Sequence, residues 1–133
     1  MKILNLIIKQ KYFDAIMAGR KVQEFREVRP TTVKRLLLLD DEGFEIADED
    51  GVSIPLKYDA IRFYVGYNKD RDSALVEIES EYVESFVDEN GDLIVYEHGV
   101  DKNGEPLLWV AQQVVYNLGK ILEKNISDKS KQR

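Results

Sequence analysis

A chain of 133 residues is the length of one domain, and at that size folding buries about two-thirds of the unfolded surface. Its 44% hydrophobic and 33% charged residues describe a soluble globular protein, not a disordered one. The absence of cysteine excludes a disulfide framework, a thiolate metal site and a thiol nucleophile.

The net charge of −6 and a pI near 4.9 argue against wrapping a long duplex nucleic acid, which needs many phosphate contacts. That charge is unevenly divided. Residues 1–35 hold nine basic side chains against three acidic ones, a net +6, and the rest holds 10 against 22, a net −12. A small basic pocket for one nucleotide is compatible with this. The acidic stretch Asp40–Asp50 reads mainly as a solubilising surface.

In chain order, Met1–Lys9 contains one short apolar run and no small-residue cleavage site. It is neither a membrane span nor a signal peptide, and a cytoplasmic location without membrane partners is expected. Lys2–Lys9 is apolar enough to predict a central strand. Tyr12, Phe13, Ile16 and Met17 recur at helical spacing, and Gly19 stands where a left-handed terminator is expected. Lys21–Arg26 is predicted as a strand with Val22, Glu24 and Arg26 on one face and Lys21, Gln23 and Phe25 on the other. Lys21 has the wrong parity to join Glu24, but it lies beside the glycine turn. Pro30 ends the strand, and Thr31–Leu39 is read as a further strand closing on four leucines.

Glu42-Gly43, Asp50-Gly51, Asn90-Gly91 and Asn103-Gly104 are read as tight two-residue hairpin turns. Their aspartate spacing does not match a calcium loop. Phe44–Ala47 with Val52–Ile54 is expected to form a small exposed hairpin. Tyr58–Tyr67 is a strand with Tyr58, Arg62 and Tyr64 on one face, suited to stacking a base or to ordinary packing with a snorkelling arginine. Ala74–Glu79 reads as a strand with one acidic face, and Glu81–Asp88 with Leu93–His98 as a further hairpin. Leu107–Leu122 favours a strand broken at Gly119. Residues 1–123 are therefore expected to be a single domain, and the polar stretch 124–133 a disordered tail. The fold class predicted is α+β, mainly β, a small barrel of short, mostly antiparallel strands with a helix after the first.

The chemistry concentrates in Gly19-Arg20-Lys21-Val22-Gln23-Glu24-Phe25-Arg26. Lysine is a poor base unless burial or a cationic neighbour removes its proton. Arg20, Arg26 and Arg29 are possible sources of that repulsion, whereas pairing with Glu24 would oppose it. Three readings stay open: a structural Lys-Glu-Arg network, ligand binding without chemistry, and hydrolysis with Lys21 and Glu24 as catalytic residues. His98 is the single histidine and reads as a turn residue. No serine lies in a nucleophile elbow, no Gly-rich phosphate loop occurs, and neither a metal nor a cofactor is expected.

The order Gly-x-Lys-x-x-Glu-x-Arg resembles the signature of the ASCH domains, a branch of the PUA-like β-barrels associated with RNA. The closing stretch Tyr116–Leu122 is similar to their final strand, with Asp40–Ile54 as an insertion. The resemblance implies a bacterial-type protein with a pocket lined by Lys21, Glu24 and Arg26 beside Gly19 that takes RNA or a modified nucleoside, and the strand face read above offers Arg62 and Tyr64 as further ligand-binding residues. One ASCH branch deacylates acetylcytidine with a lysine, a threonine three residues later and a more distal glutamate. Lys21 matches that lysine, Glu24 replaces the threonine, and Glu77, Glu79, Glu81 and Glu84 are the candidates for the glutamate. Binding is therefore the leading expectation, amidohydrolysis the alternative and a ligand-free interaction module the third.

Overall fold

The computed structural model describes Met1–Ser127. Its elements are β1 (Ile3–Ile8), α1 (Gln10–Met17), β2 (Gln23–Val28), α2 (Val33–Leu36), β3 (Ala60–Val65), β4 (Ser73–Ser85), β5 (Val95–Val100), β6 (Pro106–Val110) and β7 (Gln112–Asn125). The described residues are mainly β, 50% strand and 9% helix, in agreement with the expected class. Five strands form one mixed sheet in the order β1-β3-β4-β7-β2, and β5 and β6 form a separate two-stranded sheet. The sheet does not close into a barrel, because β1 and β2 are its two edges among the described residues. β1 is thus an edge strand rather than a central one, and it pairs parallel with β3. Its apolar density serves burial of one face, where Leu4, Leu6 and Ile8 alternate inward.

The chain divides into two compact units, to both of which β2, β4 and β7 contribute residues. The first unit comprises Met1–Glu24, Lys57–Ser80 and the chain from Tyr116 onward. Register matches Leu4 to Ile61 and Leu6 to Phe63, then Ile61 to Val76 and Phe63 to Ala74, so these residues share one buried face. Helix α1 packs on β3 and buries Phe13 and Ile16. The opposite face carries Asn5, Arg62, Tyr64 and Glu77, none of them buried, around the buried Ala60, Ser73 and Leu75. Gly119 does not break β7, which runs through it to Asn125. Lys124 and Asn125, expected in a disordered tail, are therefore strand, and the rest of that tail from Asp128 lies outside the described residues.

The second unit comprises Phe25–Leu56 and Glu81–Val115. Thr31–Leu39 is not a strand. The Thr32 hydroxyl accepts from the Arg29 N–H at 2.9 Å and turns the chain after Pro30 into α2, which buries Val33 and Leu36. Leu37 and Leu39 then make only isolated bridges, to Pro55 and Glu45. Ala47 bridges Ser53 in the same way, so the expected exposed hairpin is a string of single bridges. β4 is also longer than expected and continues to Ser85, leaving Val87 and Leu93 to bridge across the next turn.

The four glycine turns are not two-residue loops. Each is Asp-x-x-Gly-x, starting at Asp40, Asp48, Asp88 and Asp101. In each, the aspartate Oδ1 accepts the backbone N–H groups two and four residues on at 2.8–3.0 Å. The glycine follows with φ between +79° and +89°, the backbone of a three-residue loop ending in a left-handed residue. These aspartates are hydrogen-bond acceptors that set the turns, not only solvating charge. Two closed rings of backbone bonds accompany them, one through Leu38, Ile46 and Ile54, the other through Phe86, Ile94 and Ala111. The second unit therefore contains an internal repeat that the sequence reading missed.

Candidate functional site

The motif begins where α1 ends. Arg20 N–H reaches the Ala15 carbonyl at 2.9 Å and Gly19 N–H the Ile16 carbonyl at 3.1 Å, a Schellman terminator with Gly19 at φ +77°. The bond from Leu118 N–H to the Val22 carbonyl, 2.9 Å, then lays the chain beside β7. Gln23 Nε2 donates to Asn117 Oδ1 at 2.7 Å, and Asn117 Nδ2 to Ser80 Oγ at 2.8 Å, pinning the start of β2. Because β2 starts at Gln23, Lys21 lies in the turn and is released from strand parity. Its Nζ donates to the Gln23 carbonyl at 2.5 Å and stands 3.4 Å from Glu24 Oε1. Glu24 is 6% exposed, so its charge is balanced from the turn rather than by solvent. The same Nζ stands 5.9 Å from the Tyr12 ring centroid.

A cleft of about 310 Å³ opens at this point, walled by Ile16, Met17, Val22, Val76, Leu118 and Ile121, with Gly19, Lys21, Gly119 and Lys120 on its lining. Gly19 and Lys21 are thus brought together as expected, with Glu24 bound to Lys21. Arg26 follows in β2 and belongs to the second unit. Arg62 and Tyr64 do not join the cleft. They alternate with Ile61 and so face away from Val76, which the register places on the Ile61 side. Arg62 instead pairs with Glu123 at 3.1 Å, and the Tyr64 ring is covered by the Arg71 guanidinium at 4.1 Å. Tyr58 precedes β3 and meets the Lys2 ammonium. The chain matches no family model, no curated protein and no solved structure.

Two residues of the cleft went unread in the sequence. Lys120 lies in the stretch noted for its strand pattern, but nothing local marked which way it points. Gly119 does not interrupt the strand but matters through its missing side chain. A Cβ there would meet Glu77 Oε1 and come within 2.8 Å of Glu79 Cγ, so only glycine lets those side chains lie across β7. Glu77 and Glu79 are therefore beside a cleft-lining residue, while Glu81 and Glu84 belong to the second unit. Counting by unit in the full sequence, the first unit has 14 basic and 9 acidic residues, net +5, and the second 5 and 16, net −11, which together give −6.

The second unit has a polar group of its own. Glu45 Oε1 accepts from Ser53 Oγ at 2.6 Å and from Gln112 Nε2 at 2.5 Å, and Gln112 is 3% exposed. Tyr96 lies near it. Burial pushes the Tyr96 phenol above its ordinary range, Glu27 and Glu45 push the same way, and Arg29 opposes them.

Proposed function

We propose that the chain binds a nucleoside- or nucleotide-sized ligand in the cleft beside Gly19–Val22. The observation that carries this reading is a motif lysine held by Glu24 and the Gln23 carbonyl at the lining of an apolar-walled cleft. A volume of about 310 Å³ sits at the lower end of small-molecule sites and suits one base with its sugar. Met17, Val22, Leu118 and Ile121 offer apolar surface to a base, and Lys21 and Lys120 offer N–H donors to a carbonyl or phosphate. The described residues of the unit carry 11 basic and 8 acidic side chains, a net +3 that favours an anionic ligand. The helix, left-handed glycine and strand around Gly-x-Lys-x-x-Glu-x-Arg support kinship with the ASCH domains as part of the same proposal.

Hydrolysis draws less support. A lysine paired with a carboxylate at 3.4 Å is placed to donate a hydrogen bond rather than to take a proton from water. The test is an NMR titration with cytidine, CMP and GMP at two ionic strengths. Shifts are expected at Gly19–Val22 and Leu118–Ile121, with a shallow salt dependence because few phosphates are held. Lys21→Ala should weaken all three ligands. No shift from any of them at millimolar concentration would refute the proposal.

A further inference from the structure

The net −11 of the second unit is accompanied by exposed apolar side chains, with Phe44 at 56% and Leu108 at 69%. Between them, a pocket of about 80 Å³ is lined by Phe44, Glu45, Leu108 and Trp109 among others. A water takes roughly 30 Å³ of liquid, so this pocket admits the end of one side chain and not a free metabolite. Glu45 is its charged group. Both of its hydrogen bonds converge on Oε1, and both come from neutral donors, Ser53 Oγ and the buried Gln112 Nε2. Among the described residues no ion pair is formed by Glu45, and Oε2 accepts no hydrogen bond. The carboxylate is thus oriented by its own unit but not neutralised there.

We propose that this pocket is a docking site for a basic segment of a partner protein, which inserts one arginine between Phe44 and Trp109 and onto Glu45. A planar guanidinium suits the site because it can lie on an aromatic face while donating to a carboxylate. The acidic unit steers such a segment by its field, and the exposed Phe44 and Leu108 supply the apolar contact around it. This site is independent of the nucleotide reading.

Trp109 is the single tryptophan of the chain, so its fluorescence reports directly on the pocket. The probes are two synthetic peptides, acetyl-Gly-Leu-Arg-Leu-Gly-amide and the same peptide with glutamine for arginine. The arginine peptide is expected to change the Trp109 emission saturably, and the glutamine peptide to bind at least tenfold more weakly. Glu45→Gln, whose amide oxygen still accepts from Ser53 and Gln112, should lower affinity for the arginine peptide at least tenfold with little change in melting temperature. No saturable change, or equal binding by wild type and Glu45→Gln, overturns the proposal. So does a fluorescence change on raising protein concentration alone that Glu45→Gln abolishes, because the occupant would then be a second copy of this chain. Should Glu45→Gln prove unstable, Leu108→Ser provides the second test, and undiminished peptide binding by that variant also counts against the pocket.

Discussion

Two glycines line the cleft for different physical reasons, and the difference can be measured. Gly19 has φ +77° with open space around an added Cβ, so Gly19→Ala is penalised by the backbone alone. A left-handed conformation costs an L-residue about 1–2 kcal/mol, and the smaller entropy of unfolded alanine offsets under 1 of that, leaving about 1 kcal/mol. Gly119 has no positive φ, but its Cβ would come within 2.8 Å of Glu79 Cγ and also meet Glu77. Glu77 can swing its carboxylate aside, whereas Glu79 Cγ clears the new methyl only by leaving its χ1 rotamer, so Gly119→Ala should cost about 2 kcal/mol as overpacking. In a chain of this size these losses lower the melting temperature by roughly 4 and 8 °C. Calorimetry in two backgrounds separates the causes. With Glu77→Ala and Glu79→Ala already present, Gly119→Ala should cost under about 0.5 kcal/mol, while Gly19→Ala should cost as much as before. Gly19→Asn should recover part of the loss, because asparagine tolerates the left-handed region. Unchanged costs for Gly119→Ala in both backgrounds, or Gly19→Asn no better than Gly19→Ala, would refute this account of the cleft.

Asp48 accepts two backbone N–H groups and its neighbour Glu49 heads no turn, so Asp48→Ala should cost about 1 kcal/mol and Glu49→Ala under about 0.5 in urea unfolding; equal losses would return both to mere solvation. For Tyr96, a phenol raised in the folded state stabilises fully below the ordinary value near 10, and that stability is lost as pH rises through the folded value. Tyr96→Phe should therefore flatten the alkaline decline in melting temperature, and identical declines in wild type and variant would contradict the environment described. For the Lys21–Glu24 pair, with side chains 19% and 8% exposed, a double-mutant cycle with Lys21→Met and Glu24→Gln should give a coupling of about 1–2 kcal/mol, and a coupling near zero would show that the two charges are held independently. Wild type should leave acetylcytidine intact, and turnover that vanishes in Lys21→Arg would move Lys21 from donor to base.

The parts of the fold that were legible in the sequence are those decided locally. Phe13, Ile16 and Gly19 specify a short amphipathic helix and its terminator within ten residues, and all three behave as read. Leu36–Leu39 was misread because four leucines satisfy a strand and a helix equally, and the Thr32 hydroxyl on Arg29 decides between them. Barrel closure and the place of β1 depend on strand order, which alternation along one strand does not encode. The Asp-x-x-Gly spacing occurs four times, but its meaning lies in Oδ1 bonds to N–H groups two and four residues on, which a two-residue turn pattern does not encode. At the site, Lys21 and Glu24 were legible as a pair of candidates, but their contact depends on β2 starting at Gln23. Arg62 and Tyr64 were correctly placed on a common face, and only the register showed that it faces away from Val76.

The two proposed recognitions rest on one division of charge. In the first unit the buried Glu24 is balanced by Lys21, the very residue that lines the cleft. The pairing thus fixes the ammonium in position and lowers the repulsion that a buried carboxylate would exert on a phosphate. Glu45 in the second unit is arranged the opposite way, oriented by two neutral donors that leave its charge uncompensated. An uncompensated, half-buried carboxylate repels nucleotides and attracts cations, so the two proposed sites would select ligands of opposite sign by the same principle. Had the acidic residues been spread evenly, the net −6 would have weakened the cleft without creating a cation site. Their concentration in the second unit lets an acidic protein keep a basic cleft.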